Sequence, residues 1–301
     1  MKALVVGIGG IGKNVYVPQL EKLGLEVETV DLDDDKGANY DIIESIPEGT
    51  EYDIAIVCTP NLFHLPDVFS LAPYTKRILV EKPGFANAKA WWRVNKRLMP
   101  GHDVVLVKNN LYRPEYQELR QIMRDNKVTK VELTWFNENR IPNPGGWFTN
   151  KSVSFGGVSH DLFPHLYTFM LVLFDLEAVL DADLTAITKE QRWDLQTIGS
   201  TAYGEVSPTG VYDVCDYAEA HYKIGGIDVS VRASWKEGVD DQSIRIYTKD
   251  GLLHEWEFGL CPDEMYGKML MTLLAAPIGT PTFHYDIDYW IHEQLENFLE
   301  D

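Results

Sequence analysis

The first 108 residues alternate short apolar runs with segments of helical spacing. The apolar runs KALVVG, LEVETVD, DIAIVCT, RILVEK and DVVLVKN are rich in β-branched residues and nearly continuous in hydrophobicity, which is typical of parallel strands covered on both faces. Helical spacing follows in IGKNVYVPQLEKLG, HLPDVFSLA and ANAKAWWRVNKRLM. Strand and helix in alternation predict an α/β fold with a doubly wound parallel sheet over residues 1–112.

The pattern changes after PEYQELRQIMRDN, where apolar and polar residues alternate and turns such as KDG and SPTG recur. This alternation predicts a second, α+β domain over residues 113–301, with an open-faced and largely antiparallel sheet. A helix beginning near residue 161 is expected to cover the packed face, and residues 195–212 are expected to form a loop. The predicted strands are VTKVELTWFN, EAVLDADLTAITK, YDVCDYAEAHYKI, GIDVSVRASWK, QSIRIYTKD and LLHEWEF.

Charge and composition narrow the classes of partner. The net charge of −19 argues against nucleic acid or an anionic membrane, since phosphate would be repelled. The apolar stretch near residues 166–174 is too short to span a bilayer. Three widely spaced cysteines and a glycine-rich N-terminus without a cleavage site argue against secretion. We therefore expect a soluble, cytoplasmic protein with a small-molecule partner.

The segment Gly7-Ile8-Gly9-Gly10-Ile11-Gly12 fits the pattern G-x-G-x-x-G and lies between a predicted strand and a predicted helix. In that context the first glycine allows a tight turn, the second lets the backbone approach a pyrophosphate, and the third permits close packing of helix on strand. The alternative is a purely structural turn. We interpret the segment as a dinucleotide-binding loop.

Asp31 closes the second predicted strand, where a carboxylate accepts hydrogen bonds from an adenosine ribose. Asp33, Asp34 and Asp35 follow, and no arginine is near to hold a 2′-phosphate. These residues favour NAD over NADP as the cofactor.

Two further strands end in polar segments, and the ligand crevice of such a sheet lies at the carboxyl ends of its strands. Thr59, Pro60 and Asn61 follow one strand, where they can also cap the next helix. His64 alone would be read as a helix-surface residue. Lys82 follows another strand, between Glu81 and Pro83; it is either a surface lysine or a partly desolvated group that hydrogen-bonds a reacting hydroxyl.

The segment GGVSHDLFPH, residues 156–165, precedes the apolar run LYTFMLVLF. Pro164 is expected in the first turn of a helix, which places the helix start near residue 160 or 161, with Ser159 or Asp161 as its cap. Asp161 and His165 are four residues apart and share a helix face. His160 and His165 are five apart and lie on different faces, so a zinc site is disfavoured and His160 is a bystander.

These motifs together resemble the Gfo/Idh/MocA oxidoreductases. The likeness rests on G-x-G-x-x-G, Cys58-Thr59-Pro60-Asn61-x-x-His64, Glu81-Lys82-Pro83, and Gly156-Gly157 followed by Asp161-x-x-x-His165, and it runs to about residue 260. It implies a Rossmann domain, an open-faced second domain, and NAD(P)-dependent oxidation or reduction of a sugar, cyclitol or related carbonyl. Departures from the family pattern are Val158, Thr168 and the early end of the chain.

The resemblance also implies roles for individual residues. His165, with an ordinary pKa near ~6.5, would take the hydroxyl proton, Asp161 would orient its ring, and Lys82 would stabilise the developing alkoxide. Thr59, Pro60, Asn61 and Glu81 would line the nicotinamide and its ribose. The other residues expected to bind the cofactor are Cys58, His64, Lys82 and Asn109.

Substrate contacts are expected from Asn110, Tyr112 and Arg113, which follow the last parallel strand. Trp147 would either stack on a sugar face or close the core with Phe148.

Two other functions remain open on the same fold. One is a dinucleotide-sensing regulator without catalysis, and the other is a reductase of a non-sugar carbonyl, similar to biliverdin reductase. Joint presence of Lys82, Asp161 and His165 favours the enzyme, because a sensor has no need of a proton relay. We expect a homodimer or homotetramer formed through the exposed face of the second sheet.

Overall fold

The computed structural model describes residues 1–98, 101–199, 201–279 and 284–299. The strands are β1 (Lys2–Val6), β2 (Glu26–Val30), β3 (Ile54–Val57), β4 (Arg77–Val80), β5 (Asp103–Leu106), β6 (Val128–Phe136), β7 (Asp183–Glu190), β8 (Tyr217–Ile224), β9 (Ile227–Ser234), β10 (Asp241–Thr248) and β11 (Gly251–Glu257). The helices are α1 (Val17–Lys22), α2 (Asn61–Leu71), α3 (Ala88–Leu98), α4 (Tyr116–Asp125), α5 (Lys151–Ser154), α6 (Val158–Leu173), α7 (Leu176–Leu180), α8 (Asp263–Ala275) and α9 (His284–Glu296).

The chain forms two compact units. The first comprises Met1–Tyr112 and Pro262–His292, and the second comprises Arg113–Cys261 and the chain from Glu293 onward. Helix α8 and most of α9 thus pack with the first unit although they follow the second in sequence. The division of the chain at residues 112 and 113 stays a prediction of the sequence.

The first unit is built on a parallel sheet with strand order β2-β1-β3-β4-β5. Every residue of β3 and β4 is buried, because helices cover both faces of the sheet. The order reverses next to β1, so the carboxyl ends of β1 and β3 flank the switch point at which such folds bind ligands. The predicted doubly wound sheet is confirmed, and the first helix passes through a π-helical turn, Gly12–Tyr16, before α1. Met99, included in the predicted third helix, lies outside the described residues.

The second unit is built on a six-stranded sheet with order β11-β10-β6-β9-β8-β7. Its neighbours are antiparallel except for β6 and β9, which run parallel. The largely antiparallel sheet is confirmed. The predicted strand over EAVLDADLTAITK is wrong in its first part, because Leu176–Leu180 forms helix α7 and the strand begins only at Asp183. Short apolar runs fit both periodicities, so their pattern alone does not distinguish strand from helix.

Helix α6 packs on the inner face of this sheet, against β6, β8 and β9. The sheet contributes the buried side chains of Val131, Leu133, Val231 and Ala233. Over the described residues, no helix is both long enough and apolar enough to cross a bilayer.

Candidate active site

The loop after β1 shows why each glycine is where it is. Gly7 has φ of +87°, and a Cβ there would lie 2.7 Å from the backbone nitrogen of Thr59. A Cβ on Gly12 would lie 2.3 Å from the carbonyl oxygen of Gly7, whereas Gly9 and Gly10 have open space around them. Gly7 and Gly12 therefore serve close packing, and Gly9 and Gly10 leave the backbone open to a ligand, which is the arrangement that a dinucleotide pyrophosphate needs.

Asp31 follows β2 and is bound to the same loop. Its Oδ2 accepts a hydrogen bond of 2.8 Å from the backbone nitrogen of Ile8, and its Oδ1 accepts one of 3.0 Å from that of Asp33. The Lys36 Nζ lies 2.9 Å from Oδ2 and completes an ion pair. Burial raises the pKa of Asp31, but the hydrogen bonds, first among them that from Lys36, outweigh burial and lower its pKa overall. Asp31 is thus a carboxylate in a fixed orientation that is already paired with the Lys36 ammonium.

The segment after β3 leads into α2 as predicted. Pro60 occupies the cap position, and no side chain forms a capping hydrogen bond there. The Thr59 hydroxyl instead donates a hydrogen bond of 2.6 Å to Asp67. Burial raises the pKa of the Cys58 thiol, and the nearby Glu81 raises it further. Cys58 is therefore a neutral thiol and not a nucleophile.

His64 is a buried connection between two loops and not the helix-surface residue that its isolated position indicated. It is 1% exposed, and its ring lies between the carbonyl oxygens of Gly84 and Thr59, each 2.8 Å from one ring nitrogen. Burial lowers the pKa of His64 to about 4, so the ring is neutral at pH 7 and carries one N–H. The single N–H donates to one of the two carbonyls, and the ring lies between the segment after β3 and the segment after β4.

Lys82 follows a buried carboxylate at the end of β4. The Tyr16 hydroxyl donates a hydrogen bond of 2.7 Å to Oε1 of Glu81, and the backbone nitrogen of Lys82 donates one of 3.1 Å to Oε2. Glu81 is buried, whereas Lys82 keeps part of its surface exposed, and the Lys82–Pro83 peptide bond is cis. The lysine is thus attached to a fixed backbone with its side chain accessible.

Helix α9 contacts the loop that follows Lys82. The Nε2 of His292 accepts a hydrogen bond of 2.9 Å from the backbone nitrogen of Phe85, and a Cβ on Gly84 would lie 2.5 Å from that Nε2. The His292 ring stacks on Trp91 at 5.4 Å between centroids. One turn earlier, Asp288 accepts a hydrogen bond from Leu106 and forms an ion pair with Lys108, both side chains almost completely buried.

The turn after β5, Asn109–Tyr112, carries a buried amide. Asn109 is 1% exposed, and neither its nitrogen nor its oxygen has a hydrogen-bond partner among the described residues. A buried amide without partners costs free energy unless a water molecule or ligand satisfies it. Asn109 therefore offers a donor and an acceptor to a bound molecule. Arg113 donates hydrogen bonds to the carbonyls of Phe258 and Gly259, and its contact with a substrate stays a prediction.

Helix α6 carries the second group of predicted residues. It has 16 residues, of which 14 are buried, and the two that keep an exposed fraction are Asp161 and His165. They lie one turn apart, so both reach the same opening in the surface of a helix otherwise enclosed. The Trp135 ring lies 5.6 Å from that of His165, and the Trp235 indole nitrogen donates a hydrogen bond of 2.8 Å to Asp161.

The start of α6 differs from the prediction. The helix begins at Val158, so Pro164 is its seventh residue and not part of its first turn. Neither Ser159 nor Asp161 caps it; Gly157 occupies the cap with φ of +64°. The Ser159 hydroxyl donates instead to the carbonyl of Gly156 at 2.9 Å. Glycine is needed at 156 because a Cβ would lie 2.1 Å from the His160 ring.

Trp147 stacks on Phe148 with centroids 3.8 Å apart, and both side chains are half-buried. This contact is one of the two that the sequence predicted for Trp147, and its contact with a substrate stays a prediction.

Sequence reasoning missed Lys36, Tyr16, Trp235, Asp288 and His292. Lys36 could have been found from its position five residues after Asp31. The others had no signal, because each reaches its partner across a large separation in sequence.

The chain was compared with known proteins. Residues 116–254 match the family described as the GFO/IDH/MocA C-terminal domain. A protein from Amycolatopsis mediterranei (strain S699), provisionally described as the oxidoreductase subunit of a UDP-kanosamine synthase, is 26% identical over 254 residues, covering 78% of this chain and 68% of the relative.

Solved structures share the fold along nearly the whole chain. GenD2 from gentamicin A biosynthesis, in complex with NAD, has a TM-score of 0.73 at 20% identity, covering 98% of this chain and 92% of that one. KijD10, a 3-ketoreductase from Actinomadura kijaniata in complex with TDP-benzene and NADP, has a TM-score of 0.75 at 14% identity, with coverages of 98% and 96%. Levoglucosan dehydrogenase with NADH and levoglucosan has a TM-score of 0.73 at 14% identity, with coverages of 99% and 97%. Residues 116–254 therefore form a GFO/IDH/MocA C-terminal domain, and the chain as a whole shares the fold of these solved structures.

Proposed function

We propose that this protein is an NAD-dependent oxidoreductase acting on a hydroxyl or carbonyl of a sugar, cyclitol or sugar derivative, with Lys82, Asp161 and His165 handling the proton. The observation that carries the proposal is the exposure pattern of α6, in which Asp161 and His165 alone are not buried. A titratable pair at the opening in the surface of this helix is a site for proton transfer.

The residues of the first unit fit a nicotinamide dinucleotide. The open backbone at Gly9 and Gly10 would take the pyrophosphate, Asp31 the adenosine ribose, and the segments at Thr59 and Glu81 the nicotinamide end. The Asn109 amide, which has no hydrogen-bond partner among the described residues, would offer the cofactor a further donor and acceptor. When bound, the nicotinamide supplies the hydride acceptor or donor.

The chain's own residues would control the proton and the oxygen. In the direction of oxidation His165 would take the hydroxyl proton, and Asp161 would stabilise the imidazolium that forms. Lys82 would donate a hydrogen bond to the oxygen as negative charge develops. Lys82 suits this role because its side chain is accessible while its backbone is fixed through Glu81.

A sugar derivative is the substrate class that the relatives support. The names of three of them refer to UDP-kanosamine, a 3-ketoreductase and levoglucosan. Asn110, Tyr112 and Trp147 are the proposed substrate contacts. Trp147 suits a sugar face because its ring is half-buried and partly accessible.

A substrate screen tests the proposal. Aldoses, inositols, anhydrosugars and nucleotide sugars are offered with NAD while NADH absorbance is followed, and the corresponding ketones are offered with NADH. We expect turnover with at least one sugar derivative. Binding of NAD without turnover of any of them would contradict the proposal and favour the dinucleotide-sensing regulator, whereas reduction of a non-sugar carbonyl alone would favour the other alternative.

The preference for NAD over NADP is predicted to depend on Asp31 and Lys36. The Asp31 carboxylate would repel a 2′-phosphate, whereas Lys36 would attract it, and the two now neutralise each other. We expect Asp31→Ser to raise the ratio of kcat/KM for NADP to that for NAD by roughly tenfold or more, since about 1.4 kcal/mol of lost repulsion suffices. Lys36→Ala is the matched control and is expected to lower the ratio. A fall of the ratio in Asp31→Ser would contradict the assignment.

We further propose a homodimer or homotetramer formed through the outer face of the second sheet, and a cytoplasmic location. The outward side chains His221 and Lys223 of β8 are exposed and available for contact, and the three widely spaced cysteines suit a reducing compartment. Sedimentation velocity on the preparation used for the screen gives the oligomeric state, and a monomer would contradict this part of the proposal.

A further inference from the structure

Two tryptophans, one in the second sheet and one at its border, contact the two residues of α6 that are not buried, Asp161 and His165. Trp135 lies in β6 and Trp235 directly follows the neighbouring strand β9, in which Ala233 is paired with Trp135. Trp235 donates a hydrogen bond to Asp161 of α6, so it lies on the same side of the sheet as Ala233 and Trp135. That side is the inner face, against which α6 packs.

The spacing of the two tryptophans matches the spacing of the two titratable residues. Asp161 and His165 are four residues apart on a helix, a rise of about 6 Å. Ala233 lies in β9 and Trp235 two residues further on, just past its end, which is about 6.6 Å in extended chain. Each tryptophan therefore meets one member of the pair, Trp135 against the His165 ring and Trp235 against the Asp161 carboxylate.

Trp235 is held rigidly at this contact. Its side chain is completely buried, its backbone nitrogen donates a hydrogen bond of 3.0 Å to Asp216, and its carbonyl accepts one of 2.8 Å from Arg140. Its indole nitrogen then donates a hydrogen bond of 2.8 Å to Oδ2 of Asp161. An indole N–H donates a hydrogen bond and accepts none. Trp235 can therefore bind the Asp161 carboxylate but cannot act as a base.

The partner of the Trp235 indole differs in kind from the partners of Trp91 and Trp193. A buried tryptophan needs a hydrogen-bond acceptor, and a backbone carbonyl is sufficient. The buried Trp91 and the half-buried Trp193 use such carbonyls, those of Tyr285 and Lys236, each at 3.3 Å. Trp235 donates instead to one of the two residues of α6 that are not buried. The shorter bond to a charged acceptor is the stronger kind.

We propose that Trp235 is a positioning residue for Asp161. The indole holds Oδ2, fixes the carboxylate in one orientation and stabilises its charged form, so that the other oxygen serves the His165 imidazole. This inference rests on the proposed function, in which Asp161 and His165 handle the proton.

The test is Trp235→Phe, which keeps an aromatic ring and removes the donor. Loss of a hydrogen bond to a charged group is expected to lower kcat roughly 10- to 100-fold, while KM for NAD stays near that of the wild type. Trp193→Phe removes the same donor from a backbone carbonyl and is expected to leave kcat unchanged. Equal losses in the two variants would overturn the inference.

A double-mutant cycle separates positioning from a structural role. If Trp235 acts through Asp161, Trp235→Phe adds little to the loss already caused by Asp161→Ala. Additive losses would overturn the inference. The substitution Trp235→3-benzothienylalanine keeps the shape of the indole with sulfur in place of the N–H. It removes the donor without the loss of volume that could make Trp235→Phe unstable. We expect it to lower kcat as much as Trp235→Phe does.

Failure of the inference and failure of the proposed function give different results. Wild-type kcat in Trp235→3-benzothienylalanine, together with lost turnover in His165→Ala, would overturn the role of Trp235 and leave the proposed function standing. Full turnover in both Asp161→Ala and His165→Ala would overturn the proposed function and the inference with it.

Discussion

His165→Ala is expected to lower kcat by about 10²–10⁴-fold, because it removes the group proposed to transfer the substrate proton. The loss should appear in kcat and not in dinucleotide binding, since the glycine loop, Asp31 and Glu81 belong to the first unit and His165 to the second. The measurement is steady-state turnover of the substrate found in the screen, combined with calorimetric titration of NAD.

His221→Ala is the matched control for this substitution. His221 is an exposed histidine on β8 whose Nε2 lies 2.9 Å from Glu219, on the opposite face of the sheet from α6. We expect its removal to leave kcat unchanged. A His165→Ala variant as active as His221→Ala would show that His165 is not the base.

Asp288→Ala is expected to lower the free energy of unfolding by about 3–5 kcal/mol, because it leaves the buried Lys108 ammonium without its partner. Lys108 is 1% exposed, and its Nζ also donates a hydrogen bond of 2.8 Å to the Leu106 carbonyl. The same substitution removes the acceptor of the Leu106 backbone nitrogen. Urea unfolding followed by circular dichroism measures the loss.

The double variant Lys108→Met/Asp288→Asn removes both charges and keeps an acceptor for Leu106. We expect its unfolding free energy to lie within about 2 kcal/mol of the wild type, because desolvation offsets most of the attraction in a buried ion pair. A loss as large as that of Asp288→Ala would contradict this reading of the pair.

The difference in unfolding free energy between the wild type and the double variant is expected to change with pH. Burial raises the pKa of Asp288 to about 6, and the nearby Lys108 opposes this effect. A raised pKa contributes stability that is present below the unfolded-state value near ~3.9 and is lost as pH rises through the folded-state value. The stability of the wild type relative to the double variant should therefore fall between pH ~4 and pH ~7, by at most about 3 kcal/mol. A relative stability that rises over this range would contradict the raised pKa.

The sequence was most informative where the chemistry is local. The glycine loop, the strand ends at Asp31, Thr59 and Glu81, and the spacing of Asp161 and His165 were all readable, because turns, strand alternation and helix faces follow from neighbouring residues. The predicted helix start near residue 160 was wrong for a tertiary reason. The helix begins at Val158, two residues early, where the Val158 backbone nitrogen donates a hydrogen bond to the carbonyl of Cys215, 57 positions away in sequence.

By itself the sequence determined the fold class, the two kinds of sheet and the identity of the candidate residues, since periodicity and glycine placement are properties of adjacent positions. Only the tertiary structure decided which groups hold those residues in place. His292 reaches the loop after Lys82 from 207 residues away, and Trp235 reaches Asp161 from 74 residues away. Such contacts depend on how the elements pack, and no local pattern in the chain encodes them.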